Sequence, residues 1–215
     1  MLATRDGDYA AACSLDFSKP PLYYDTFALR DVSGAKAVTQ TWPFFLAAES
    51  RNAMVSNSPV PVKSCWNGMA VFQAGPFYND PPIHFRGIPD SLAAHHLEGS
   101  ECCLIHIDNE LSAKQGVWLN PNVRVGYNAE AYKFVNPERG VWPSKKERLK
   151  GIWRNRLVRW TRFPWRYLER YNVDRRLRLW RKEARGKIEG GLHQDESHCL
   201  INEMQVLVEN GWAHV

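Results

Sequence analysis

The stretch that decides the fold runs from Pro61 to Asn128. It opens with Pro61-Val-Lys-Ser-Cys-Trp-Asn-Gly-Met-Ala70 and continues through His84-Phe-Arg-Gly-Ile-Pro-Asp90 and His95-His-Leu-Glu-Gly-Ser-Glu101. It closes with Cys102-Cys-Leu-Ile-His106 and Val117-Trp-Leu-Asn-Pro-Asn-Val-Arg-Val-Gly-Tyr127. Val60 to Phe72 reads as a strand with a turn inside it, because Asn67-Gly68 is a tight-turn dipeptide between apolar residues. Pro76, Pro81, Pro82 and Pro89 make residues 75–90 a loop. Ser91 to Leu97 has room for one or two helical turns. Ser100 then offers an N-cap for a helix that reaches about Ala113 and ends at Gly116. A strand over Cys102–Ile107 is the alternative, since that apolar run is short and fits either period. Gly116 to Tyr127 reads as a strand or hairpin bent at Asn120-Pro121. Strand and helix signals that alternate in this way indicate a mixed α/β fold.

Upstream, Asp8 to Phe17 reads as a buried strand with an Asp near its end, and Ser18 to Pro21 breaks it. Tyr23 to Asp31 reads as an irregular strand closed by a turn at Gly34. Residues 35–55 mix helix formers with Trp42-Pro43, which predicts a short helix broken by a loop. Downstream, Pro137, Gly140 and Pro143 mark a boundary. Beyond it, Lys145–Tyr171 and Val173–Arg185 read as helices broken at Phe163-Pro164. Trp153, Leu157, Trp160 and Leu168 recur at helical spacing, forming an apolar stripe beneath the arginines. Gly190-Gly191 reads as a hinge, and Asp195 to Asn210 as a last amphipathic helix stopped by Gly211. This divides the chain into residues 1–137, a basic helical extension at 138–190, and a C-terminal helix at 191–215.

A hydrophobic share of 44% with 12% aromatics excludes a disordered chain, and no apolar run approaches the roughly 18 residues of a membrane span. The net charge of +5 conceals an asymmetry. Residues 145–187 hold 17 Lys/Arg against 4 acids, leaving 11 against 19 elsewhere, so an acidic body carries a basic tail. The five cysteines are scattered without a CxxC pair, so buried thiols are expected in place of a disulfide scaffold. A zinc site drawn from His95, His96, Cys102, Cys103 and His106 is the weaker alternative, because vicinal cysteines suit tetrahedral ligation poorly.

Several of these segments resemble a known family. Tyr23-Tyr-Asp-Thr-Phe-Ala-Leu-Arg-Asp31, Val60-Pro-Val-Lys-Ser-Cys-Trp-Asn-Gly-Met69 and Phe85-Arg-Gly-Ile-Pro-Asp90 are similar to the fungal capsule-associated, cryptococcal-type α-1,3-mannosyltransferases. So are the runs His96–His106 and Trp118–Tyr127, and the resemblance extends over residues 8 to about 137. It implies a GT-A-like mixed sheet flanked by helices, GDP-mannose as donor, a glycan acceptor, manganese or another divalent metal, and residence in the Golgi lumen. In that family the acidic metal and nucleotide motif lies upstream of the segment matching Asp8–Phe17. The resemblance therefore implies a domain incomplete at its N-terminus, lacking the donor-binding half and a membrane anchor, with little turnover by itself. It also implies a metal-binding His near Val125–Tyr127, where there is none, so the metal's ligands are unknown.

Within that frame, Glu101 is the leading catalytic candidate. GT-A enzymes hold an acid facing the acceptor at such a helix start, whereas a purely structural Glu101 would cap the helix dipole. Glu98 is the second choice. Trp66, Asn67 and Gly68, beside Lys63, suit a sugar site: Trp stacks on a pyranose, Asn bonds hydroxyls and Gly admits close backbone approach. A core Trp beside an ordinary turn is the competing reading. Asp25, Arg30 and Asp31 could line the donor or acceptor pocket, or form a surface salt bridge. Asp16, at a strand end, is a similar candidate. His95, His96 and His106 read as packed or exposed residues. The rival reading of the whole chain is a non-enzymatic basic protein that binds nucleic acid or anionic membrane through residues 145–187, with nucleic acid the less expected partner.

Overall fold

The computed structural model describes residues 1–183, 194–201, 205–208 and 211–214. A short 3-10 turn at Thr4–Gly7 leads into β1 (Ala11–Phe17), which is buried along its whole length. β2 (Arg30–Asp31), α1 (Ala48–Val55), β3 (Val60–Ser64) and β4 (Ala70–Phe72) follow. Next come the short helices α2 (Gly75–Tyr78) and α3 (Asp90–Ala93), the two-residue β5 (Glu98–Gly99), α4 (Glu101–Asp108) and α5 (Leu111–Gln115). β6 (Val117–Gly126) and α6 (Ala129–Val135) complete the body. α7 (Lys145–Thr161) and α8 (Phe163–Glu183) form the basic arm. A 3-10 turn at Gln194–Cys199 precedes β7 (Leu200–Ile201), β8 (Gln205–Val208) and β9 (Gly211–His214).

Five strands form one mixed sheet in the order β2-β3-β6-β1-β4. β1 and β6 lie at its middle and run parallel, while β3 and β4 flank them antiparallel. This is the mixed sheet with flanking helices expected of the fold class. Two of the local readings need correction and one alternative is decided. Val60–Phe72 is not one strand with a turn in it but two strands in different parts of the sheet, because β3 pairs with β6 and β4 with β1, so the Asn67-Gly68 turn carries the chain across the sheet. Of the two readings of Gly116–Tyr127, the structure takes the strand and not the hairpin. Its register against β1 jumps from Cys13↔Leu119 to Leu15↔Arg124, so Asn120-Pro121 forms a bulge, where a strand tolerates proline. Tyr23–Asp31 is strand only at its last two residues.

The helix read through to about Ala113 is two helices, since Asn109 leaves the helical region and its Oδ1 accepts the Leu111 N–H at 3.0 Å. Gly116 does end the second one, at φ 77°. The strand alternative at Cys102–Ile107 is excluded by α4. The amphipathic helix expected at Asp195–Asn210 is also overturned: the chain turns into β7, and β8 pairs antiparallel with β9. Strand-forming Val206 and Val208 outweigh the helical spacing there. The Gly190-Gly191 hinge lies outside the described residues.

One core fills the sheet face with Leu15, Phe17, Tyr23, Leu29, Phe44, Phe45 and their neighbours. Four of the five cysteines are paired, which corrects the expectation of buried thiols. Cys13–Cys65 and Cys103–Cys199 are disulfides with Cα atoms 6.2 and 5.6 Å apart, and Cys102 is free. Sequence spacings of 52 and 96 residues concealed pairs that the sheet and the returning C-terminal segment bring together. The zinc alternative fails with them. Cys103 is bonded, His106 donates to the Cys65 carbonyl at 2.8 Å, and His95 pairs with Glu183 at 3.1 Å.

Candidate functional site

In open α/β sheets, ligands gather at the carboxyl ends of parallel strands. Here β1 and β6 end together, with Asp16 opposite Val125 and Phe17 opposite Gly126. The residues just beyond them close over the sheet edge: the Tyr24 N–H donates to the Asp16 carbonyl at 3.0 Å, and the Tyr127 N–H to that of Phe17 at 3.0 Å. The side chain of Asp16 is fully buried. Its Oδ2 accepts the Tyr127 hydroxyl at 3.0 Å and its Oδ1 the Asp25 N–H at 3.2 Å.

Burial pushes the Asp16 carboxyl up to about 6, against the opposing pull of those two hydrogen bonds. Burial also raises Asp25, whose Oδ1 accepts the Phe27 N–H at 3.0 Å. Tyr127 is pushed up to about 12, by burial first and then by the negative charge of Asp16. Tyr23 is held well above its ordinary value by burial, with Asp16 and Asp25 adding to the shift; its buried hydroxyl has no partner among the described residues.

The Asn67-Gly68 turn packs directly onto this carboxylate. Ser14 Oγ donates to the Asn67 carbonyl at 2.8 Å, and the Ser14 N–H to that of Met69 at 2.9 Å. Gly68 has φ +55°, and a Cβ there would sit 3.0 Å from both the Asp16 and Val125 Cβ atoms. Glycine is therefore needed for conformation and for space. The Asn67 amide donates to the Asp25 carbonyl, while its buried Oδ1 has no donor among the described residues. The Cys13–Cys65 disulfide ties the start of this turn to β1.

Glu101 is exposed in the first turn of α4. Its neighbour Cys102 is half-buried, and its thiol lies 3.9 Å from the Glu101 carboxylate. The Cys102 thiol is pushed up to about 12, by burial first and then by the charges of Glu101 and Asp25. A cleft of about 510 Å³ runs along the same edge, lined by Tyr24, Asp25, Thr26, Phe27, Lys36, Ala37 and Ile201. The exposed rings of Tyr24 and Tyr127 meet edge to face, 5.1 Å between centroids. Carboxylates that accept hydroxyls, beside exposed aromatic faces, suit a ligand with many hydroxyls and an apolar ring face.

The structure brings Asp16, Asp25, Asn67 and Gly68 together, while Glu101 stands exposed at the start of α4. The other candidates sit elsewhere. Arg30 is buried, and its guanidinium holds the carbonyls of His198 at 2.5 Å, Phe27 at 2.6 Å and Leu29 at 2.9 Å. Burial lowers it to about 10. Asp31 organises its own loop, accepting from the Ser33 N–H and hydroxyl, the Ala35 N–H and the Ala47 N–H at 2.6–3.1 Å. Lys63 is exposed on β3, which β6 separates from β1. Trp66 packs against Phe72 and Phe85 at 6.0 and 5.3 Å. Glu98 accepts the Gly99 N–H at 3.0 Å within β5.

Sequence reasoning missed Tyr23, Tyr127 and Cys102. Tyr127 was the most findable, as the residue directly after a strand that ends on Gly126. Among the described residues, the one group of three candidate metal ligands is Cys103, His198 and Cys199, and its two sulfurs form a disulfide. Both oxygens of Asp16 are already hydrogen-bonded. These residues do not form a metal cage.

The family model described as cryptococcal mannosyltransferase 1 matches residues 1–108, half of the chain, so the resemblance of Trp118–Tyr127 lies outside the match. No curated protein and no solved structure matches. Asp16, Tyr23, Asp25, Asn67, Gly68, Glu101 and Cys102 all fall within the matched residues, and the chain belongs to the cryptococcal mannosyltransferase 1 family.

Proposed function

We propose that this protein is a GT-A-like glycosyltransferase that moves mannose from GDP-mannose to a glycan acceptor in α-1,3 linkage, with retention. The observation that carries this reading is the Asp16–Asp25 pair at the shared end of β1 and β6, flanked by Tyr24 and Tyr127. Asp25 is the group that accepts from sugar hydroxyls, and the buried Asn67 holds its backbone in place by donating to the Asp25 carbonyl. Tyr24 and Tyr127 give the ring an apolar face. Asp16 stands behind them as a buried negative charge that favours the oxocarbenium-like carbon of the transition state.

Because the donor bond and the product bond are both α, no base is required on the face opposite the leaving group. Glu101 accordingly orients the acceptor hydroxyl near the anomeric carbon. A divalent ion such as manganese would neutralise the departing diphosphate. The described residues supply no full ligand set for one. The two disulfides support residence in an oxidising secretory lumen, with the Golgi as the proposed compartment. No described helix is long and apolar enough to cross a membrane.

The test is a donor panel with an α-mannoside acceptor. It uses the protein at its full natural length, so that any segments flanking these 215 residues are present. Transfer from GDP-mannose alone, giving an α-1,3 product by NMR, is expected. Transfer from a uridine diphosphate sugar instead, or a β product, would contradict the proposal.

A further inference from the structure

The basic arm turns the wrong side outward for a helix that only packs on its own domain. α7 meets the body through Gly151 and Asn155. A Cβ at Gly151 would lie 2.0 Å from the Trp42 carbonyl oxygen, so the helix backbone rests on the 42–45 loop, and Asn155 Nδ2 reaches the Phe45 carbonyl at 3.4 Å. The opposite face carries Leu149, Trp153, Leu157 and Trp160, spaced 4, 4 and 3 residues apart. They are 62%, 56%, 58% and 66% exposed. The apolar stripe read from Trp153, Leu157 and Trp160 therefore faces away from the body.

The stripe continues around the corner between α7 and α8. Arg166 fixes that corner by donating to the Val158 carbonyl at 3.3 Å and the Arg159 carbonyl at 2.7 Å. Phe163 and Trp165 project from it, 65% and 72% exposed. Basic residues flank this ridge on both sides. Lys145, Lys146, Lys150, Arg154 and Arg162 are exposed, and Arg156 lies over the Trp153 ring at 5.0 Å. From Arg148 to Leu168 there are seven Lys/Arg and no Asp or Glu. The acid just before, Glu147, is engaged in the capping box with Ser144.

We infer that this face is a docking surface for an anionic lipid bilayer. α7 would lie in the plane of the interface with its Leu and Trp ridge among the acyl chains and its Lys and Arg at the headgroups. Charge complementarity selects this occupant. A second copy on the same face would set one run of seven cations against another. A nucleic acid would satisfy the cations and stack on tryptophan, but it gives Leu149 and Leu157 nothing apolar to bury against.

The test is flotation of the full chain with vesicles of phosphatidylcholine alone and of phosphatidylcholine with 30% phosphatidylserine, at 0.1 M salt. The comparison is the variant Trp153→Ser/Leu157→Ser/Trp160→Ser, whose positions are exposed and whose fold is checked by circular dichroism. Binding to the anionic vesicles with a blue shift of tryptophan emission is expected, weaker by about ten-fold or more on neutral vesicles and in the triple variant. No binding to anionic vesicles, or equal binding by the triple variant, would overturn the inference. So would a solution dimer that the triple substitution dissolves, or an oligonucleotide binding more tightly than the vesicles and competing them off.

Discussion

At the scale of single residues, two buried titratable groups set opposite pH dependences. His106 is buried, stacks on Phe72 at 5.3 Å and is pushed from 6.5 down to about 4, chiefly by burial. Its folded form resists protonation, so its contribution is present above pH 6.5 and is lost as the pH falls through 4. His106→Gln keeps a donor for the Cys65 carbonyl. It is expected to flatten the acid loss of melting temperature over that window, by an amount on the order of 3 kcal/mol. An unchanged acid limb would show that His106 charges without penalty. Asp16 acts in reverse. Raised from 3.8 to about 6, its protonated form favours the fold at low pH, and that contribution is lost as the pH rises through 6. Glu101 is tested by function. A capping role alone predicts that Glu101→Gln loses at most about 1 kcal/mol of stability with transfer intact. The orienting role predicts a transfer rate lower by roughly ten- to hundred-fold, with donor hydrolysis less affected. Measuring both reactions with the melting temperature separates the two.

At the scale of elements, legibility followed local chemistry. β1, the Asn67-Gly68 turn, the stop at Gly116 and the break near Phe163 were readable because each depends on neighbours in sequence. What β3 and β4 pair with was not readable, because the strands that separate them come from residues 11–17 and 117–126. Asp16, Asp25 and Asn67 were therefore visible as separate candidates, while Tyr127, 111 positions from its partner Asp16, was not. The orientation of α7 was hidden for a similar reason. A stripe of Leu and Trp normally faces a core, and only the contact of Gly151 with the 42–45 loop reverses it. Gly151→Ala is expected to lift the helix from that loop and cost about 1–3 kcal/mol, read from denaturant midpoints. An equally stable alanine variant would mean that α7 does not rest there. Cys13→Ala/Cys65→Ala should cost about 4 kcal/mol by loop-closure entropy across its 52-residue separation. A loss below about 1 kcal/mol would remove the disulfide from the account of how the turn is held.

At the scale of the molecule, a parallel pair of strands ends at an acidic, tyrosine-rimmed edge, and a basic arm lies against the rest of the body. The arm docks through Val173, Leu177 and Trp180 on Leu92, Leu97 and Leu200, with Trp180 Nε1 donating to Ser91 Oγ at 2.9 Å. The returning segment is tied to α4 by Cys103–Cys199 and supplies Ile201 to the cleft, so the tail completes one wall of the candidate site. The central claim is that the Asp16–Asp25 edge is where mannose is handled. Its most direct test is kcat/KM for mannosyl transfer from GDP-mannose by Asp25→Asn and Asp16→Asn in the protein at its full natural length, with melting temperatures taken alongside. Each variant is expected to remain folded and to lose roughly ten- to hundred-fold or more, the equivalent of one charged hydrogen bond in the transition state. Folded variants that transfer mannose at the wild-type rate would contradict the claim.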